Sequence, residues 1–472
     1  MGFYQRSSGI FPLKTQIGYR IIKVQYPILT QKGVLKMTFL SPNDPRFQAD
    51  SDAVSIQNAI NAAEEGDIRT VCIPRICART GKPEWIIDKS ILLPSNITVL
   101  LDDCHLILKA GVYENIFRNK NLYTDIDIKP EGKQSGIRII GMGDAILDGG
   151  EGNDLTEATS LKDGRPSIRF NNFILLHNVD NYVIENISCV NMRWWAINQI
   201  CCTHGRLENI RFFNGKFIAN QDGIDFRIGC SNIYVNNITG RCGDDVIALS
   251  AFAGTKERER FLVEGMEPDI HDMTITNVCA HTHYALVAMR NTDGAKIYRI
   301  FIENIRDSGG EYGPFCCVRI GENLYYRDRT SILGETYDIH VKGVYSMTLC
   351  TVMLGGALKD SHISDVYANG SSMSAISTYS LNKYLERQKK IAWGGATLEN
   401  VVFDNIHYNG TAGHCDKEWM NEPGTPYSGC ALDFRRMREE DFFKNVVFRD
   451  IFAREGAELC IACDKIKPDI RN

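Results

Sequence analysis

No stretch of this 472-residue chain approaches the roughly 20 consecutive apolar residues of a membrane-spanning helix, so no membrane partner is expected. A basic surplus is missing too. The net charge of −5 argues against a nucleic-acid partner held by phosphate neutralisation. The 16 cysteines lack the spacing of a secreted disulfide framework. Cys201–Cys202 and Cys316–Cys317 are adjacent pairs, and adjacent strand residues face opposite ways. Free, buried thiols in a reducing compartment are the expectation. Cys460 and Cys463 form a single CxxC, and a structural zinc site wants four ligands, so ordinary packing is the preferred reading.

The first 36 residues contain no Asp or Glu, and they lack the apolar core and small-residue cleavage site of a signal peptide. Gly2 lacks the Ser or Thr at position 6 that a myristoylation motif wants; Arg6 stands there. Residues 1–36 are read as a disordered extension or as sequence ahead of a true start at Met37, and a cytoplasmic location is expected. No Pro/Ser-rich linker appears later, so residues 37–472 are read as one domain.

What the chain does have is a returning phrase. It reads "YVIENI" from Tyr182, "GRLENI" from Gly205, "IYVNNI" from Ile233, "MTITNV" from Met273 and "IFIENI" across Phe301, with "IHVKGV", "SHISDV", "VVFDNI" and "VVFRDI" further on. Apolar residues alternate in period two, a polar pair follows, and Ile or Val closes the phrase. That is a strand with a turn signal. The polar position falls at Asn186, Asn209, Asn237, Asn277 and Asn304, with gaps of 23, 28, 40 and 27 by subtraction. Units of this length cannot bury an apolar face alone, and stacking them builds a shared core. The expectation is an all-β solenoid, a parallel β-helix, with an ordinary β-sandwich as the alternative. Asn suits a repeated turn because it tolerates left-handed backbone. "DAVSIQNAINAAEEG" reads as an N-terminal capping helix behind an aspartate cap, with Val54, Ile56, Ile60 and Ala63 on its apolar stripe. "RIIGMGDAILDGG" reads as an early rung; it lacks the third glycine of a dinucleotide-binding fingerprint. Leu381–Lys390 is charged and reads as helix or loop.

The chemistry concentrates in "ANQDGIDFRIGCSNIYVNNITGRCGDDVIAL", with Asp222, Asp225, Asp244 and Asp245. Asp222 and Asp245 lie 23 residues apart, about one repeat, which stacks them on one face. Glycoside hydrolysis uses such a set: one carboxyl protonates the leaving oxygen and another activates water or attacks. Crowding raises at least one pKa and keeps an acid protonated near neutral pH. On a regular strand Asp244 and Asp245 would point opposite ways, so a bulge or bend at Gly243 is expected. Asp225 is read as a turn cap.

"NQDGIDF" followed one rung later by "GDDVIAL" resembles the polygalacturonases, glycoside hydrolase family 28. The resemblance implies a right-handed parallel β-helix. Asn220, Gln221 and Asp222 stand where that family has Asn-Thr-Asp, and Gly243, Asp244 and Asp245 match its Gly-Asp-Asp. His283, in "HTHYALVAM", stands at its Gly-His-Gly without the glycines, and His281 is the alternative. Arg319 and Ile320 match Arg-Ile-Lys, with Gly321 in place of the lysine. The similarity runs in order from about Asp44 to Glu322 and more weakly beyond.

Carried over, the resemblance makes Asp244 the general acid of an inverting hydrolase. Asp222 and Asp245 hold the water, His283 tunes the acid, and Arg319 contacts the sugar, with no metal or cofactor. A bonded rung histidine and a surface ion pair are the plain readings of His283 and Arg319. Asn220 and Gln221, within the first motif, are substrate-contact candidates. Two cation positions that serve the sugar's carboxylate in relatives are Gly321 and Ser250 here, and the family's Trp-x-Ile-His becomes "WAIN", keeping Trp195 and placing Asn198. An oligosaccharide or polysaccharide other than plain polygalacturonate is therefore the expected substrate, cleaved from one end if the long stretch Ala253–Asp269 walls off the site. Trp194, Trp195, Tyr284, Tyr325 and Tyr326 are aromatics for stacking on sugar faces, against packing as the plain reading. A β-helical polysaccharide lyase using calcium, and a non-catalytic carbohydrate-binding β-helix, remain as alternatives. Whether the chain is a monomer or a homo-oligomer stays open.

Overall fold

The computed structural model describes residues 38–150, 171–215, 218–252, 256–291 (backbone only for 256–257), 294–309, 316–321, 331–347, 350–370, 372–378, 396–411, 429–434, 437, 439–462 and 468–471. The chain divides into two units, Met1–Thr38 and Phe39–Asn472. Residues 1–36, Leu381–Lys390, Tyr325, Tyr326 and Cys463 lie outside the described residues.

Phe39–Asn472 folds as a parallel β-helix. Among the described residues its strands form parallel sheets of 18 and 12 members. The larger sheet carries the repeated phrase. Ile187 pairs in register with Ile210, Ile210 with Ile238, Ile238 with Val278 and Val278 with Ile305. These steps of 23, 28, 40 and 27 residues are the gaps read between the asparagines. β-Branched side chains stacked this way fill one buried core along the solenoid. The smaller sheet stacks Ile174, Ile197, Ile224, Ile247, Val287 and Val318 on its inner face.

The asparagines do what the phrase suggested. Asn186, Asn209, Asn237, Asn277 and Asn304 all hold positive φ, between 54° and 60°. Their side chains bond from rung to rung: Asn209 Nδ2 to Asn186 Oδ1 at 2.8 Å, Asn237 to Asn209 at 2.7 Å and Asn304 to Asn277 at 2.6 Å. Amides stacked at the rung spacing satisfy each other's donors and acceptors.

The helix Asp52–Glu65 covers the first rung, packing on Thr70–Pro74, Trp85–Ile87 and Ile91–Leu93 with Ile56, Ala59, Ile60 and Ala63 buried. Its cap is Ser51, not an aspartate; the Ser51 hydroxyl accepts the Val54 N–H at 3.3 Å. Asp52 instead is buried against Arg79 and the Ile86 N–H. "RIIGMGDAILDGG" supplies two early-rung strands, Ile137–Met142 and Ile146–Asp148. All 14 described cysteines are free and 12 are buried, small apolar fillers of the stack. Among the described residues no helix is long and apolar enough to cross a membrane.

Candidate active site

Asp222, Asp244 and Asp245 occupy corners rather than strands. Asp244 and Asp245 lie in the bend between the strands Ser231–Arg241 and Ile247–Ser250, and Asp222 lies just before Ile224–Phe226. Outside the ladder, adjacent side chains are not forced to opposite faces, so no strand bulge is needed. Asp222 and Asp245 keep equal register in neighbouring rungs: the Ala196 N–H bonds to the Asp222 carbonyl, and the Gly223 N–H to the Asp245 carbonyl. Carboxylate oxygens of Asp222, Asp244 and Asp245 all come within 4.8 Å of one another.

Gly243 is required at this bend. A Cβ there would meet the Gln221 Cβ at 2.8 Å and the Ile218 carbonyl at 2.8 Å. Gln221 itself is framework: its carbonyl accepts the Gly243 and Asp244 N–H groups, and its side chain accepts from Asn214 at 2.7 Å. Asn220 sits at φ 66°, a conformation Asn tolerates, and this aims its N–H at Asp244 Oδ2, 2.6 Å away. The other Asp244 oxygen accepts the Asp245 N–H at 3.0 Å. The Asp245 carboxylate accepts the Ala285 N–H at 2.9 Å and a bond from the Arg290 guanidinium. Asp222 differs, since its buried Oδ1 has no hydrogen-bond partner among the described residues. Burial, and then the charges of Asp244, Asp225 and Asp245, push the Asp222 carboxyl well above the usual range against the pull of Arg290.

Thr282, His283, Tyr284 and Ala285 wrap this corner. The Thr282 hydroxyl donates to the Asp244 carbonyl and accepts the Tyr284 N–H at 3.2 Å. His283 is half-buried in this turn, and the Tyr284 ring is 36% exposed beside it. His281 faces Asp307 instead, 3.9 Å away. Arg319 stands on the outer face of Cys316–Ile320, in register with Ala288. Trp195 is 5% exposed, and the Arg227 guanidinium lies 4.5 Å over its ring, so it packs and holds Arg227. Trp194 is buried against it.

Asp225 is not a turn cap. It lies within the strand Ile224–Phe226, 1% exposed, with Asn198 its register partner in the preceding rung. Ile224 and Phe226 point into the core, so Asp225 points out. Arg227 approaches it at 3.8 Å. Burial raises its carboxyl well above the usual range, with Arg227 opposing and Asp245 adding to the rise. The alternation "IDF" carried the signal. Arg290 was missed as well. It faces Ser250, where a cation had seemed absent, and adding the 40-residue rung to position 250 locates it. Its charge is engaged by Asp245.

The segment from residue 256 onward lies against the earlier rungs. Its helix ends at Phe261, which packs with Val263 against Leu122, Leu175, Trp194, Trp195, Ile200 and Ile228. Arg260 bonds Asp127 at 2.7 Å, the Phe261 carbonyl meets a His177 ring nitrogen at 2.6 Å, and the Glu264 N–H reaches the Ile128 carbonyl at 2.7 Å. Burial brings the His177 pKa down to about 4, so its ring is neutral. This segment therefore covers the outer face of the rungs that precede the aspartates.

The three clustered carboxylates also have the donor type and spacing of a site for a hard divalent cation. The sequence model described as "Glycosyl hydrolases family 28" matches residues 121–265, a span that holds Asp222, Asp244 and Asp245 and ends before His283 and Arg319. No curated protein matches the chain. Among solved structures, the exopolygalacturonase of Thermotoga maritima aligns at 12% identity and TM-score 0.47, covering 90% of this chain and 91% of that one. The polygalacturonase of Erwinia carotovora aligns at 12% and 0.46, covering 93% and 99%. The surface adhesin PfbA of Streptococcus pneumoniae aligns at 14% and 0.46, covering 92% and 96%. Likenesses of this order do not carry an activity from one protein to another.

Proposed function

We propose that the chain is a glycoside hydrolase that cleaves an α-linked sugar from one end of a pectin-derived or related oligosaccharide in the cytoplasm. One observation carries the reading: three carboxylates converge within 4.8 Å, one of them pushed towards its protonated form. Hydrolysis of a glycosidic bond needs a proton for the leaving oxygen and a carboxylate to activate water.

The family resemblance gives Asp244 the acid's part and has Asp222 and Asp245 hold the water. Electrostatics favour Asp222 as the holder of the resting proton. The two assignments agree when the trio titrates as one coupled group, whose proton belongs to the set rather than to one member. His283 tunes that set from the adjoining turn, while Tyr284 and Arg319 contact the sugar. Inversion is proposed on the resemblance. The general spacing rule leans the other way, since inverting pairs commonly stand roughly 6.5–9.5 Å apart and retaining pairs about 5 Å. The anomer of the product decides. Action from one end is supported by the segment docked on the outer face of the preceding rungs, where it would stand in the way of a long polysaccharide.

The test is release of reducing sugar from α-linked galacturonate, rhamnose and galactose oligosaccharides, beside Asp244→Asn. Hydrolysis by the native protein alone supports the reading. The carboxylate cluster keeps a calcium-dependent lyase as the second reading. Chelator should leave the activity unchanged and no unsaturated product should form. Loss on chelation with an unsaturated product would establish the lyase instead.

A further inference from the structure

Beside the carboxylate trio lies a second polar set that the proposed chemistry does not use. Asn198, Asp225 and Ser250 stand on the outer face of three successive strands of the smaller sheet. Asn198 and Asp225 are register partners, which sets their Cβ atoms about 5 Å apart. Asp225 pairs next with Ala248, whose methyl group fills little of the space, and Ser250 follows two residues on along the same face.

All three side chains are buried, at 0%, 1% and 1% exposure. Yet among the described residues both amide atoms of Asn198, the Oδ2 of Asp225 and the Oγ of Ser250 have no hydrogen-bond partner. Leaving a buried polar atom unpaired is costly, and native proteins rarely tolerate several together without a reason. Ordered water is one reason and a ligand rich in hydroxyls is another.

The chemistry of the open groups narrows the ligand. They are an amide with a donor and an acceptor, a hydroxyl with both, and a carboxyl that burial holds towards its neutral form. None is a cation. Of the guanidiniums on this face, Arg227 lies over the Trp195 ring and 3.8 Å from Asp225, Arg290 is engaged by Asp245, and Arg319 stands two rungs beyond Ala248. A sugar carboxylate brought against Asn198, Asp225 and Ser250 would meet another carboxyl, whereas sugar hydroxyls would find matched donors and acceptors.

We propose that Asn198, Asp225 and Ser250 form a subsite that reads the hydroxyl groups of an uncharged sugar residue beside the cleavage point, with Asp225 as the residue that sets this specificity. The inference rests on the hydrolase reading for its place in the reaction but not for binding itself. It follows that Asp225 acts in recognition, and that substrates with a neutral sugar at this position are preferred to galacturonate.

The test is binding, measured by saturation-transfer NMR and titration calorimetry on the whole chain carrying Asp244→Asn, which removes turnover. The probes are methyl α-rhamnoside, methyl α-galactoside and galacturonic acid. At least one neutral glycoside should bind more tightly than galacturonic acid. Asp225→Ala should weaken that binding about tenfold or more, and Asp225→Asn, which keeps the shape of a neutral carboxyl, should restore most of it. Should Asp225→Ala not fold, Ser250→Ala carries the same prediction at smaller size. Equal or tighter binding of galacturonic acid overturns the proposal, as does binding indifferent to Asp225→Ala, or binding of no neutral glycoside, which would leave water as the occupant. In the native protein, a neutral glycoside bound but no oligosaccharide cleaved would sink the hydrolase reading and leave the subsite standing. Cleavage with a KM unmoved by Asp225→Ala would do the reverse.

Discussion

The crowding of carboxylates at one corner has a cost as well as a use. Asp222 is buried, its Oδ1 has no partner among the described residues, and its carboxyl is held well above the ordinary 3.8. The folded protein therefore binds this proton more tightly than the unfolded chain does. The sign follows. Below pH of about 4 both states are protonated and nothing is lost; as pH rises towards the folded value, the unfolded chain ionises first and folding stability falls. Asp222→Asn removes that loss. Its melting temperature should exceed that of the native protein by about 1–3 °C near pH 8, with the difference shrinking towards pH 4, while activity is lost throughout. A melting series across pH checks this. A variant less stable at pH 8 than the native protein would show that Asp222 is ionised and stabilising. Residues of this kind were only partly legible in the sequence. Asp222, Asp244 and Asp245 announced themselves by motif and spacing. Asp225 did not, because its outward place rests on strand alternation over only three residues and its neighbour, Asn198, is supplied by the preceding rung.

At the scale of elements, the corner depends on rungs that keep their register. Asparagine side chains tie neighbouring turns together, except that Asn277 reaches Asn236 and not Asn237 in the rung before it. Asn237 holds φ 56° and its amide donates to Asn209 at 2.7 Å. Asn237→Ala should cost about 1–3 kcal/mol, from left-handed strain and the lost bond together. Asn237→Gly should cost less, because glycine restores the backbone freedom but not the bond. Denaturant melts of both variants check the order, and equal costs would remove backbone strain from the explanation. The ladder was readable from the returning phrase, since the gaps of 23, 28, 40 and 27 reappear as register steps. The destination of the long gap was not. Nothing in "TKERERF" says that Phe261 will dock on Trp194 and Ile200. Long-range packing of an insertion depends on the surface it meets, and that surface is assembled from three other rungs. Phe261→Ala, which empties this contact, should loosen the cover and shift the products of a long oligosaccharide from single end units to internal fragments. Chromatography of the products reads the shift. An unchanged pattern would mean that the segment does not set the direction of cleavage.

The unit Phe39–Asn472 is a stack in which each rung meets its neighbours and the chemistry occupies one corner of a few of them. Its architecture could be read from periodicity alone because a solenoid repeats its own instructions. The site was half legible for the same reason: stacking converts a spacing of one repeat into a contact, as for Asp222 and Asp245. What lies off the repeat, the Ser51 cap and the docked segment, had to be seen. The central claim is bond hydrolysis at the carboxylate trio, and proton NMR tests it most directly. Native protein and Asp244→Asn are each mixed with the α-linked oligosaccharide panel and followed from the first minutes. The account predicts new β-anomeric signals from the native protein, appearing before mutarotation, and none from the variant. Newly formed α-anomer would replace inversion by retention, and cleavage that persists in Asp244→Asn would contradict the site.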